Sequence, residues 1–202
     1  MSCSTARTVA MLGLLASAFQ ASAQAPVAPA ATWEVRFTSG ALVATGAERN
    51  TLKDAEVSAA QVSWLIRPSL AITSTIGWAR SRDLSTLGDP KLDVFTYDVG
   101  AEGRTPELFS DKRVTLAPFI GAGIGARSYN YRTLDVDATH NLAAYAATGG
   151  ELGMGRVGVR VEVRDYVTGF KPLGDIARSA TRNDVVFMLG LRFKRSADAA
   201  SH

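Results

Sequence analysis

Val157-Gly158-Val159-Arg160-Val161-Glu162-Val163-Arg164 alternates a valine with a glycine or an ion over its whole length. Successive side chains of a strand point to opposite faces, so this segment has a wall of valines and a wall of charge. A soluble sandwich buries the valines against a second sheet. A membrane barrel turns them to lipid and keeps the ions inside. Whichever of the two covers the valine face decides the class of protein.

The neighbouring residues favour lipid. Gly155-Arg156 reads as a compact hairpin turn. If Met154 faces Val157 across it, Glu151 lies opposite Arg160 and Leu152 opposite Val159. One register then gives an opposed pair of charges on one face and an apolar pair on the other. A slip of one residue would move arginine into hydrocarbon, at roughly 2–4 kcal/mol near the midplane.

The same alternation continues outward in both directions from about Trp33 to Phe193. The period-two pattern predicts eight strands: Trp33 to Thr45, Glu56 to Ile66, Leu70 to Arg80, Leu92 to Arg104, Val114 to Tyr131, Asn141 to Met154, Val157 to Val167 and Val185 to Phe193. Connections are expected to be long after the first, third, fifth and seventh strands and shorter after the others. An outer-membrane barrel sorts its loops in this way, with short periplasmic turns and longer external loops. Trp33, Trp64, Leu70 and Phe193 fall near one set of strand ends, and Trp78, Phe95 and Tyr97 near the other. Amphipathic rings favour the headgroup level, so these positions suit two aromatic girdles.

The inward faces carry Glu34, Arg36, Asp98, Glu102, Arg104, Glu151, Arg160, Glu162, Arg164 and Arg192. A closed eight-stranded barrel has a lumen just wide enough to be filled by side chains. Gly121, Gly123, Gly125 and Gly149 would leave room there for arginines and aromatics. The expectation is a plugged, ion-paired interior.

The ends and the composition bound the compartment and the class. Arg7, the apolar run Val9 to Phe19 and Ala21-Ser22-Ala23 have the form of a secretory signal peptide cleaved after Ala23, residues 1–23. The run is too short to cross a bilayer as a helix, which needs about 20 apolar residues. Residues 24–32 read QAPVAPAAT, an extended spacer. The barrel is expected over 33–193, with 194–202 as a tail. Cys3 leaves with the leader, so the mature chain has no cysteine and no disulfide to rely on. Losing Arg7 lowers the net charge of +3 by one, too little to argue for nucleic acid. A hydrophobic fraction of 47% with no further long apolar run excludes a helical membrane protein and leaves a barrel open.

The strand Pro118-Phe119-Ile120-Gly121-Ala122-Gly123-Ile124-Gly125 and the last strand, Phe187-Met188-Leu189-Gly190-Leu191-Arg192-Phe193, carry a resemblance. The chain resembles small outer-membrane β-barrel proteins of Gram-negative bacteria, of the OmpA transmembrane-domain and OmpX type. The resemblance implies an all-β, eight-stranded antiparallel up-and-down transmembrane barrel in the outer membrane. It also implies contact with lipopolysaccharide and other outer-membrane lipid, and handling by the barrel assembly machinery. The sequence departs from that pattern where Lys194 to His202 follows the terminal aromatic.

Little in the chain points to catalysis. Gly121 to Gly125 lacks the P-loop lysine and sits in a strand. The mature histidines are His140, at a loop end, and His202, in the tail, and the His-x-Ser pair of a lipid A deacylase-like site is absent. Asp135, Asp137 and Asn130 do not match a calcium loop. No catalytic, cofactor or metal residue is therefore assigned. The reading is a structural, surface-exposed, non-enzymatic barrel with an unknown external ligand. A conduit for small or hydrophobic solutes and a lipid-modifying enzyme stand as alternatives.

Overall fold

The computed structural model describes residues 32–105, 109–111, 114–132, 134–170 and 180–195. Residues 1–31, where the leader and most of the spacer are expected, and the residues beyond 195 lie outside the described residues. Among the described residues nine strands form one antiparallel sheet: β1 (Thr32–Thr45), β2 (Ala55–Arg67), β3 (Leu70–Arg82), β4 (Lys91–Arg104), β5 (Phe109–Asp111), β6 (Val114–Tyr131), β7 (Thr139–Met154), β8 (Val157–Phe170) and β9 (Ala180–Arg195). Eight of them close a cylinder. β4 bonds to β6, and β9 returns to β1 over the register Trp33↔Arg195 to Thr45↔Asn183. β5 is an accessory strand on the first residues of β6. The barrel begins one residue before the expected boundary and ends two after it.

The register gives the geometry of closure. From Trp33 the paired residues run through Trp64, Ile72, Ala101, Ala122, Ala146, Asp165 and Val185 back to β1 at Val43, ten residues above the start. An eight-stranded barrel with that shear has strands tilted by about 40°. Each residue then climbs roughly 2.5 Å along the axis, so Trp33 to Val43 spans about 25 Å, the height of a lipid-facing band.

The valine hairpin has the expected pairing: Met154↔Val157, Leu152↔Val159 and Glu151↔Arg160. Gly155 has φ +63, which a type II′ turn needs at its first central residue and which a glycine adopts without a Cβ clash. Pro68-Ser69 closes β2 to β3, with a register shift between Leu65 and Arg67. The expected sorting of loop lengths fails at one connection. Residues 105–113, between β4 and β6, are as long as the loop 46–54 that follows β1 and contain β5.

Burial is inverted relative to a soluble protein. Large exposed hydrophobics include Phe37, Ile76, Val99, Ile124, Val161, Leu189 and Phe193, all on the outward face. Glu34, Arg36, Arg160 and Glu162 are almost fully buried inside. At the end that holds both termini of the barrel, Trp33 stacks on Trp64 with ring centroids 5.9 Å apart. Trp78, Phe95 and Tyr97 occupy the opposite edge of the band. The outward face also carries a carboxylate, exposed Asp165, between Ala146 and Val185.

Candidate functional site

The lumen has two storeys. The lower one, toward the barrel's termini, gathers all ten charged residues singled out from the sequence. The alternation puts them inside, and closure brings strands β1, β4, β7, β8 and β9 across from one another. Glu34 is the hub at the bottom. Its Oε2 accepts from Arg36 Nη2 at 2.7 Å and from Arg104 Nη2 at 2.6 Å, and its Oε1 accepts from Arg104 Nη1 at 3.0 Å and Arg192 Nη1 at 3.3 Å. Glu102 is the second hub, taking Arg104 Nε at 2.8 Å and Arg160 Nη2 at 2.5 Å. Arg160 Nε donates to Glu162 at 2.8 Å, Glu162 accepts from Arg164, and Arg164 Nη1 reaches Asp98 at 3.0 Å. Tyr166 Oη closes the chain on Asp98 at 2.7 Å.

Five guanidiniums (Arg36, Arg104, Arg160, Arg164, Arg192) thus meet five carboxylates (Glu34, Asp98, Glu102, Glu151, Glu162), and the storey is electrically balanced. The bonds from β1 to β4 and from β4 to β8 cross the lumen as chords. One expected contact is loose. Glu151 lies directly opposite Arg160 but 3.8 Å from it, and pairs instead with Arg192 at 3.1 Å. Arg160 is drawn toward Glu102 and lies over the Phe119 ring, 3.3 Å from its centroid. Gly149 makes this possible, because a Cβ there would come within 2.6 Å of that ring. Gly123 does the same for Tyr145, whose ring carries Arg164 at 4.5 Å.

The upper storey is apolar. Leu42, Ala44, Leu52, Val57, Leu92, Val94, Val186 and Met188 pack with Tyr129 and Tyr131 into a buried cluster inside the barrel. The sequence reading, which equated inward with polar, did not foresee it. Nor did it single out Arg127 and Asp184, an ion pair buried within the upper storey, with Asp184 opposite Ala44. Arg127 also lies 4.2 Å from the Tyr166 ring centroid. The signal was present: Arg127 continues the inward parity of Gly121, Gly123 and Gly125, and Asp184 that of Val186 and Met188. Starting the last strand at Val185 hid the second of these.

Above the apolar cluster, Asp83 acts as a stopper. It is buried and accepts from Ser85 N at 2.9 Å, Ser85 Oγ at 2.6 Å, Thr86 Oγ1 at 2.8 Å and Tyr131 Oη at 2.6 Å. Burial pulls its pKa up, but these donors pull harder, and the net shift is below the ordinary aspartate value. At the opposite mouth a cavity of about 520 Å³, lined by Arg104, Phe119, Glu151, Arg160 and Arg192 among others, opens toward the barrel's termini. It has the ionic storey as its floor. A small void of about 20 Å³ between Gly77, Thr96 and Met188 is large enough for about one water.

Among the described residues no cluster of His, Cys, Asp and Glu suits a metal ion. His140 is exposed at the start of β7. The register sets Ser128 opposite it, but no hydrogen bond joins the two among the described residues.

No family model matches the sequence, and no curated protein is significantly similar to it. Solved structures do share its fold. The Neisserial surface protein A is 10% identical, with a TM-score of 0.55 over 80% of this chain and 96% of that one. The outer membrane protein OprG of Pseudomonas aeruginosa is 12% identical, with a TM-score of 0.54 over 84% and 98%. The N-terminal β-barrel domain of OprF from the same organism is 10% identical, with a TM-score of 0.51 over 83% and 99%. At such identities the likeness concerns architecture: the chain has the fold of the small outer-membrane barrels.

Proposed function

We propose that this chain is an outer-membrane protein that crosses the bilayer as a closed, non-conducting barrel and presents its longer loops to the cell exterior. Lipopolysaccharide and phospholipid surround it, and the barrel assembly machinery inserts it after the leader is cleaved. The observation that carries this reading is the filling of the lumen. Charged chords span its lower half, and an apolar cluster under Asp83 fills its upper half. A hydrated ion crossing it would have to break several charge-assisted bonds and then enter an apolar plug.

The role is non-enzymatic in this reading. The interior carboxylates are held by arginines, and Ser128 and His140 lack the hydrogen bond that would activate a serine. The cavity at the lower mouth favours a second reading, a conduit whose ion pairs rearrange to continue it upward.

Planar-bilayer recordings separate the two. Wild type is expected to show no unitary conductance, and Arg160→Ala is expected to show at most rare, brief openings. Stable channels in wild type would overturn the closed reading. Unchanged lipid A in cells that overproduce wild type or His140→Ala is expected as well. A modification made by wild type and lost in the variant would restore the enzyme alternative.

A further inference from the structure

We propose that the outer rim formed by β2, β3, β4 and β6 binds the phosphorylated head group of lipopolysaccharide in the outer leaflet. This rests on the outer-membrane placement proposed above and assigns it a specific site.

A groove of about 340 Å³ lies on the outward face at this rim, and Lys53, Arg80, Arg82, Lys91 and Arg132 line it. All five are exposed. The register fixes their height. Arg80 and Arg82 stand two and four residues beyond the girdle residue Trp78, roughly 5 and 10 Å above it along the axis. Lys91 is likewise beyond Phe95. The cations therefore begin where the apolar band ends, at the depth of the glucosamine phosphates of the outer leaflet. A free anion has no need of that depth.

Two carboxylates, Asp54 and exposed Glu56, also line the groove, but its five cations outnumber them. Asp93 is opposite Arg80, but Arg132 holds it with bonds of 2.7 and 2.5 Å. Asp54 accepts from the backbone N of Ala44 at 3.0 Å. Among the described residues no carboxylate forms a salt bridge with Lys53, Arg80, Arg82 or Lys91. Arg80 instead lies against the Trp78 ring, 4.3 Å from its centroid, with its charge at the headgroup level. Arg82 and Lys91 are direct cross-strand partners. Like charges in that position repel, and a phosphate between them turns the repulsion into two charge-assisted contacts. The site is also firmly built. Lys53 N donates to Arg82 O at 3.0 Å and Arg132 N to Lys91 O at 3.1 Å, which ties the segments that carry the cations.

The test uses the whole mature chain refolded in dodecyl maltoside micelles and titrated with bisphosphorylated lipid A, then with the same lipid stripped of phosphate, following tryptophan fluorescence. Wild type should bind the phosphorylated lipid at least about tenfold more tightly, since each cation near an anionic surface adds to the attraction. The double variant Arg82→Gln/Lys91→Gln should lose most of that preference. Arg156→Gln, at the other mouth, should keep it. Equal affinity for both lipids, or an unchanged double variant, would overturn the site. Displacement by millimolar inorganic phosphate would show a free-anion site and overturn the lipid assignment. A chain that stays monodisperse without detergent would overturn the membrane placement itself, and the site with it; a chain that folds in micelles but binds both lipids alike overturns the site alone.

Discussion

The two storeys of the lumen fill the same cylinder by opposite means. Below, Arg36, Glu34, Glu102 and Arg160 hold one another by charge and leave a cavity at the mouth. Above, Leu42, Leu92, Val186 and Met188 exclude water by packing. An apolar filling tolerates exchange among hydrophobes of similar volume. An ionic filling tolerates loss of a complete pair but not of one member, because the orphaned charge stays buried. The barrel thus combines a storey that is specific about partners with one that is specific about shape.

The contrast predicts a hierarchy. Glu102→Ala should have the largest effect, because it removes an acceptor shared by Arg104 and Arg160 and leaves the storey with one buried guanidinium in excess. A loss of about 3–5 kcal/mol is expected in urea unfolding from lipid vesicles; a loss under about 1 kcal/mol would mean that water already screens the network. Leu42→Ala should cost about 2–5 kcal/mol by leaving a cavity, and Leu42→Met less than about 1.5 kcal/mol in the same assay. If Leu42→Met were as damaging as Leu42→Ala, packing would not be what holds the upper storey.

The ion pair set within the apolar storey, Arg127 with Asp184, sharpens the comparison. Replacing Arg127 with Met and Asp184 with Leu together should leave stability within about 1 kcal/mol of wild type or raise it. Asp184→Ala alone should be clearly destabilising. A double variant as weak as the single would place this pair with the ionic storey, where partners cannot be removed even together.

The smallest effect is at the stopper. Asp83 has its pKa depressed in the folded protein, so its contribution is complete above the unfolded value of about 3.9 and is lost as pH falls through the folded value. Pepsin cleavage in the 83–90 loop should therefore rise more steeply between about pH 4 and pH 2 than cleavage of the matching free peptide. Asp83→Asn should abolish the difference. A loop equally protected at both pH values would show that the carboxylate charge does not hold it.

The fold was legible because the valine strand admits one register. Once Glu151 is set against Arg160, the inward parity of its neighbours is determined, and the structure has that pairing. The upper storey was less legible for a physical reason. Inward Leu42, Val186 and Met188 lie between outward residues that are also apolar, so the alternation that marks the lower half fades. Chords such as Arg160 to Glu102 were hidden too. They join residues 58 positions apart and depend on the shear, which only the complete ring of pairings determines.

The seam between β9 and β1 joins the end of the barrel sequence to its beginning. Until those two edges zip, β1 and β9 expose bare amides that hydrocarbon cannot solvate. Insertion is therefore an all-or-nothing event for this chain. A truncation before Ala180 forfeits the entire hoop and not merely one stave.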